Sequence, residues 1–258
     1  MFPRSPASVC ALALAVLVSA CGSDSSTGPS NTQPVTLDQA LTEFSIPAIS
    51  AANTAFFDAG ASAPTLALSR CAYADGSQSF VCTPFSANGV TINQSFTLLS
   101  ASGTAQSAFN RATTDAVRAN TITTGTLSQN GTSLDVNGTQ ALTLSGLISG
   151  PHTLNGASTT RLKGKIADIF GTSDLDATLT TAINNLVLPA KTAASAQVWP
   201  ASGTIAVESA GTVGNAAIPA TKITMTFSGS SKVSVSRTGP GGVLNCTMDL
   251  AKLDQACQ

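Results

Sequence analysis

The stretch TDAVRANTITTGTLSQNGTSLDVNGTQALTLSGL, residues 114–147, decides how this chain folds. Asn130-Gly131 near its centre suits a two-residue type I′ turn, in which both central residues need positive φ. Fixing the turn there fixes a register. Leu127 then faces Leu134, Gly125 faces Val136, Ala119 faces Leu142 and Val117 faces Leu144. All of these fall on one side of an antiparallel pair, because strand side chains alternate with period two. A chance pattern loses phase over such a distance. The spacing predicts one long hairpin from about Thr114 to Leu147.

The same reasoning works outward in both directions. Asn88-Gly89 sets Phe85 against Ile92 and Val81 against Phe96. A type II′ turn at Gly76-Ser77, which wants glycine first, sets Cys71 against Cys82 and Tyr73 against Phe80. Asn155-Gly156 is read as the turn of a shorter hairpin. Leu175, Leu179, Ile183 and Val187 suit the inner face of a strand with Thr178 and Thr180 outward; a helix is the alternative there. Residues 189–198 are alanine-rich and ambiguous. Ile205 and Val207 alternate, as do Ile223, Met225 and Phe227. Gly229-Ser230-Ser231 turns the chain, Val233 and Val235 return, and the glycine-rich segment 239–242 turns it again. Leu244, Cys246, Met248 and Leu250 follow, which places Cys246 on the core face with Cys257 as its partner.

The region before residue 64 has a helical period instead. Thr36-Leu37-Asp38-Gln39 is a capping box, and Leu37, Leu41 and Phe44 share a helical face. Proline is tolerated in a first turn, so a second helix can run from Pro47 to about Asp58, with Ile49, Ala52 and Phe56 inward. The fold class expected is mainly β: a large curved antiparallel sheet, or a barrel-like meander of hairpins, with one or two N-terminal helices packed on it.

The N-terminus supplies an address. Arg4 precedes an apolar run, Val9 to Val18, too short to span a bilayer as a helix. Leu17-Val18-Ser19-Ala20-Cys21 then resembles the lipobox of bacterial lipoproteins. That resemblance implies a signal peptide over residues 1–20 and a Cys21 that is lipidated and becomes the mature N-terminus. Residues 21–35 read as lipidated cysteine and flexible tether, since Gly22 to Pro34 holds no large apolar side chain. The reach of such a tether is ~20 Å. Residues 36–258 read as a single β-rich domain. Gly22 stands where aspartate would retain a lipoprotein at the inner membrane, so the resemblance points to the outer membrane.

That compartment is oxidising. Of six cysteines, Cys10 leaves with the leader and Cys21 carries lipid. Cys71, Cys82, Cys246 and Cys257 are left for two disulfides, and the registers link them in that order. A zinc site would want closer cysteine pairs or histidine partners, and His152 is the single histidine. No metal and no cofactor is expected.

Charged residues are 10% of the chain and the formal net charge is −1, which leaves no basic field for nucleic acid. Neither G-x-S-x-G nor S-x-x-K occurs. A serine triad would have to use His152, which reads instead as a histidine beside a proline turn. Asp174 and Asp176 point the same way on a strand, with Asp168 upstream, and are candidates for acid/base work or calcium, though the dense acidic loop of a calcium site is missing. Arg161, Lys163 and Lys165 share one strand face and are candidates for lipid headgroups or an anionic glycan. Their structural reading is an edge strand whose charges discourage aggregation. Trp199 is the ring left for stacking a sugar, or else a strand-end anchor.

The function expected is a non-catalytic, lipid-anchored envelope protein with a binding or structural role, holding an apolar ligand or an envelope protein. No catalytic residue is assigned. The alternative is a hydrolase or glycan-active protein of the envelope, built on Asp174, Asp176 or His152.

Overall fold

The computed structural model describes residues 71–87, 89–129, 131–168, 171–188, 199–251 and 254–257. All belong to the compact unit Pro64–Gln258. The leader, tether and helices expected before residue 64, and the alanine-rich segment 189–198, lie outside the described residues.

All regular structure among the described residues is strand. The strands are β1 (Cys71–Ala74), β2 (Ser79–Cys82), β3 (Phe85–Ala87), β4 (Val90–Ser100), β5 (Ala105–Gln106), β6 (Thr114–Gln129) and β7 (Thr132–Ser145). They continue with β8 (His152–Asp168), β9 (Gly171–Leu188), β10 (Ser202–Val213), β11 (Ala216–Phe227), β12 (Lys232–Gly239), β13 (Gly242–Asp249) and β14 (Asp254–Cys257). They form one 14-stranded antiparallel sheet in the order β1-β2-β4-β6-β7-β8-β9-β10-β11-β12-β13-β14, with β3 and β5 as short additions beside β4. The sheet is open, so the barrel-like alternative does not hold. Along that path the strands follow chain order, as consecutive strands joined by short connections pair with their neighbours.

The hairpin over 114–147 forms as read. Leu127 faces Leu134, Gly125 faces Val136, Ala119 faces Leu142 and Val117 faces Leu144. Gly131 and Gly89 each have φ of 81°, the left-handed conformation their two-residue turns need.

One row of side chains crosses the whole sheet. It runs Tyr73–Phe80–Phe96–Ala119–Leu142–Gly156 and continues Ile183–Ile205–Met225–Val235–Cys246–Cys257. Phe80, Ala119, Leu142, Ile205, Met225, Val235 and Cys246 in it are buried. Parallel to it, Leu98, Leu144, Leu154 and Leu186 are buried too. The core therefore lies along one face. Each large apolar side chain removed from water there contributes about 1.5–3 kcal/mol. The opposite face is polar.

Five local expectations are corrected. The Gly76-Ser77 turn is a four-residue loop, Asp75 to Gln78, in which Gln78 takes the positive φ of 48°. The register is unchanged: Cys71 faces Cys82, and Tyr73 meets Phe80 edge-on at 5.2 Å between centroids.

Phe96 faces Phe80 rather than Val81. Thr83 and Pro84 lie outside the strands and absorb one residue between β2 and β3, since proline cannot donate to a ladder. That step turns Phe80 inward and leaves Val81 50% exposed.

Asn155-Gly156 is no turn. It sits within β8 at a bulge against β9. Leu154 faces Leu186 and Gly156 faces Ile183, so Asn184 and Asn185 oppose Asn155 alone. Asn185 has φ of 47°, and its backbone N–H donates to Asn155 Oδ1 at 2.7 Å. The bulge shifts the phase of β9, so Leu186 and Leu188 are buried where Val187 was expected.

β8 is interior, between β7 and β9, and not an edge. Finally, Leu244 is 37% exposed, so the core face of β13 starts at Cys246.

Candidate functional site

Strand alternation and register bring the charged candidates together on the polar face. Lys163 lies opposite Asp176 and Lys165 opposite Asp174, with Arg161 opposite Thr178. Arg161 reaches diagonally: its Nε and Nη2 donate to Asp176 Oδ1 and Oδ2 at 2.9 and 2.7 Å. Such a two-point contact matches the planar guanidinium fork to a carboxylate. Lys165 Nζ donates to Asp174 Oδ1 at 2.8 Å. On β7, Asp135 lies on the other side of Lys163 and accepts from Thr126 Oγ1 at 2.7 Å. A further pair, Lys222 to Glu208, spans β10 and β11.

The cluster is therefore an alternating ladder of charges, neutral over Asp135, Asp174 and Asp176 against Arg161, Lys163 and Lys165. Exposed pairs of this kind contribute little stability. They set opposite charges against each other across β8 and β9. Hydrogen bonds from Arg161 hold the Asp176 carboxyl below the ordinary aspartate range, burial opposes this, and attraction to Arg161 and Lys163 adds to it. Arg161 is raised in turn, chiefly by its hydrogen bonds to Asp176.

A pH dependence follows, with its sign. A carboxylate lowered in the folded state favours folding above its unfolded pKa, and that contribution is lost as pH falls through the lowered folded value. The carboxyl carbon of Asp176, followed by NMR, should titrate at lower pH in the wild-type chain than in Arg161→Gln. Equal midpoints would contradict the ion pair.

His152 stands elsewhere. It opens β8 opposite Leu188, whereas Asp176 faces Lys163 on the same two strands. At a rise of ~3.3 Å per residue, His152 and Asp176 are roughly 35 Å apart. Asp168 ends β8 opposite Gly171. Trp199 is half-buried just before β10, next to the buried Pro200 whose carbonyl accepts from the Gly229 N–H. It lies at the His152 end of the sheet, because the Ala201 N–H donates to the Val187 carbonyl. The structure thus joins Arg161, Lys163, Lys165, Asp174 and Asp176, and separates all five from His152 and Trp199. Among the described residues, no three His, Cys, Asp or Glu side chains are arranged to hold a metal.

The disulfides close as read: Cys71–Cys82 in β1–β2 and Cys246–Cys257 in β13–β14, each with a sequence separation of 11. These hairpins are the two edges of the sheet. An edge strand is where a sheet frays or recruits a foreign strand, and each edge here carries a covalent clamp.

Sequence reasoning missed one feature. On the polar face of β11–β14 lies an open concavity of about 450 Å³, lined mainly by threonine, serine and asparagine. The signal that could have found it is the alternation of Thr224 and Thr226, Ser234 and Ser236, and Asn245 and Thr247 with the core residues of the C-terminal meander. No protein-family model matches the chain, and no curated protein or solved structure matches it either.

Proposed function

We propose that the chain is a non-catalytic, lipid-tethered protein of the bacterial cell envelope whose open β-sheet acts as a binding or structural surface. One observation carries the non-catalytic part: the candidate carboxylates are neutralised by Arg161 and Lys165, and the single histidine is roughly 35 Å away along the strands. A general acid or base needs a pKa near the working pH and a partner within hydrogen-bond reach. Asp176 is shifted the other way.

The tether rests on the lipobox-like Leu17 to Cys21 and on the polar run that follows. Gly22 favours the outer membrane. Two clamped edges suit a protein that works in an oxidising space without chaperoned repair. The concavity on β11–β14 is lined mainly by hydroxyl groups, which supports a binding role for the polar face.

Fractionation tests the tether. The wild-type chain should sediment with envelope membranes and enter the detergent phase of a phase separation. Cys21→Ser should move to the aqueous phase. Recovery of the wild type in the aqueous phase would overturn the assignment.

A further inference from the structure

We propose that the concavity on the polar face of β11–β14 binds a neutral, polyhydroxylated ligand, as a short segment of uncharged glycan presents. The assignment supplies a ligand class for the binding role above; its geometry does not depend on the tether.

Register builds the site as a small grid. Thr226, Ser234 and Thr247 form one outward row across β11, β12 and β13, and Thr224, Ser236 and Asn245 form the next. Neighbours in a row lie ~4.8 Å apart, and the rows are separated by two residues, ~6.8 Å. All six line the concavity. Every one is uncharged, and five carry a hydroxyl that both donates and accepts. Among the described residues none of the six hydrogen-bonds another side chain, whereas elsewhere on this face Thr126 is held by Asp135 and Ser86 pairs with Thr91.

Chemistry narrows the occupant. The lining itself is uncharged and the cations beside it are matched, Lys222 by Glu208 and Lys232 by Asp249 opposite it, so an anionic polymer or a phosphate headgroup gains little net attraction by entering. An apolar chain would strand the hydroxyls without partners. A ligand that matches the grid must itself alternate donors and acceptors every few ångströms, which is the pattern of sugar hydroxyls. The site holds no aromatic ring, so stacking does not contribute, and a single site should bind in the millimolar range, about 4 kcal/mol.

The edge clamp bears on the same site. Ala256 of β14 faces Thr247 and completes the wall, and Cys246–Cys257 holds that four-residue strand in place. Breaking the bond should loosen the wall.

The test is NMR titration of the full chain, isotope-labelled, with maltoheptaose and cellohexaose as neutral probes and an oligogalacturonate as the anionic one. At about 10 mM neutral probe, shift changes confined to β11–β14 are expected, with none from the oligogalacturonate. Thr226→Val with Thr247→Val removes two hydroxyls at near-constant shape and keeps a strand-forming side chain. It should weaken the shifts about fivefold or more. If that double variant does not fold, Thr226→Val alone should weaken them measurably. No response to either neutral probe, a response centred away from β11–β14, a stronger response to the anion, or full binding by the valine variants would each overturn the proposal. None of these outcomes bears on whether Cys21 is acylated.

Discussion

A Gly156→Val chain is expected to lose about 3 kcal/mol of unfolding free energy, read as a lowered urea midpoint. The cause is steric. A Cβ at Gly156 would clash with the Ala141 carbonyl oxygen and lie 2.8 Å from Leu142 Cα, both backbone atoms of β7. No rotamer change relieves such a contact. Backbone would have to shift, and it sits in the row that runs from Tyr73 to Cys257. The φ of 150° adds strain for any side chain. Ala157 beside it points to the polar face and is exposed. Ala157→Val should therefore change stability by less than about 0.5 kcal/mol. Equal losses in the two variants would mean that Gly156 does not pass as close to the β7 backbone as this register requires.

Replacing Cys246 and Cys257 by serine together should cost about 3 kcal/mol, the loop-closure entropy of a short cross-link. Its distribution matters more than its size. β14 is four residues long and pairs with β13 alone among the described strands. Amide hydrogen exchange should therefore accelerate first in β13 and β14. The long ladders of β6 to β9 hold their own registers and should stay protected. Removing Cys71 and Cys82 should free β1 and β2 in the same way at the opposite edge. Faster exchange spread evenly over all strands would contradict the edge-clamp account, as would no change at all.

These two cases show where the amino-acid sequence was legible. Two-residue turns with Asn-Gly have strict backbone demands, so Asn88-Gly89 and Asn130-Gly131 fixed their local registers to the residue. Bulges carry no such mark. The extra residue at Thr83-Pro84 and the pair Asn184-Asn185 each shift the count by one, and a one-residue slip moves every later side chain to the other face. The Val81–Phe96 and Val187 expectations failed for that reason.

Asn155-Gly156 misled because the freedom that suits glycine to a turn also lets it pass close to a neighbouring carbonyl. The ion-pair ladder was half legible. Its cations and its carboxylates were each picked out, but their pairing depends on the connection between Asp168 and Gly171. Ile169-Phe170 in that connection holds none of the residues that advertise a turn. Gly214-Asn215, by contrast, is a recognisable turn signal between β10 and β11, and using it would have brought Thr212 against Ala217. The hydroxyl grid needed three registers at once, β11 to β14, before its polar residues became neighbours.

The sheet is stapled at both edges, its proposed anchor is Cys21, and one measurement addresses both. Protein isolated from the envelope without reducing agent should be digested and mapped by mass spectrometry. The expected result is a peptide beginning at Cys21 with the added mass of acyl groups, together with Cys71 linked to Cys82 and Cys246 linked to Cys257. An unmodified Cys21, or cysteines cross-linked between the two edges of the sheet, would contradict it.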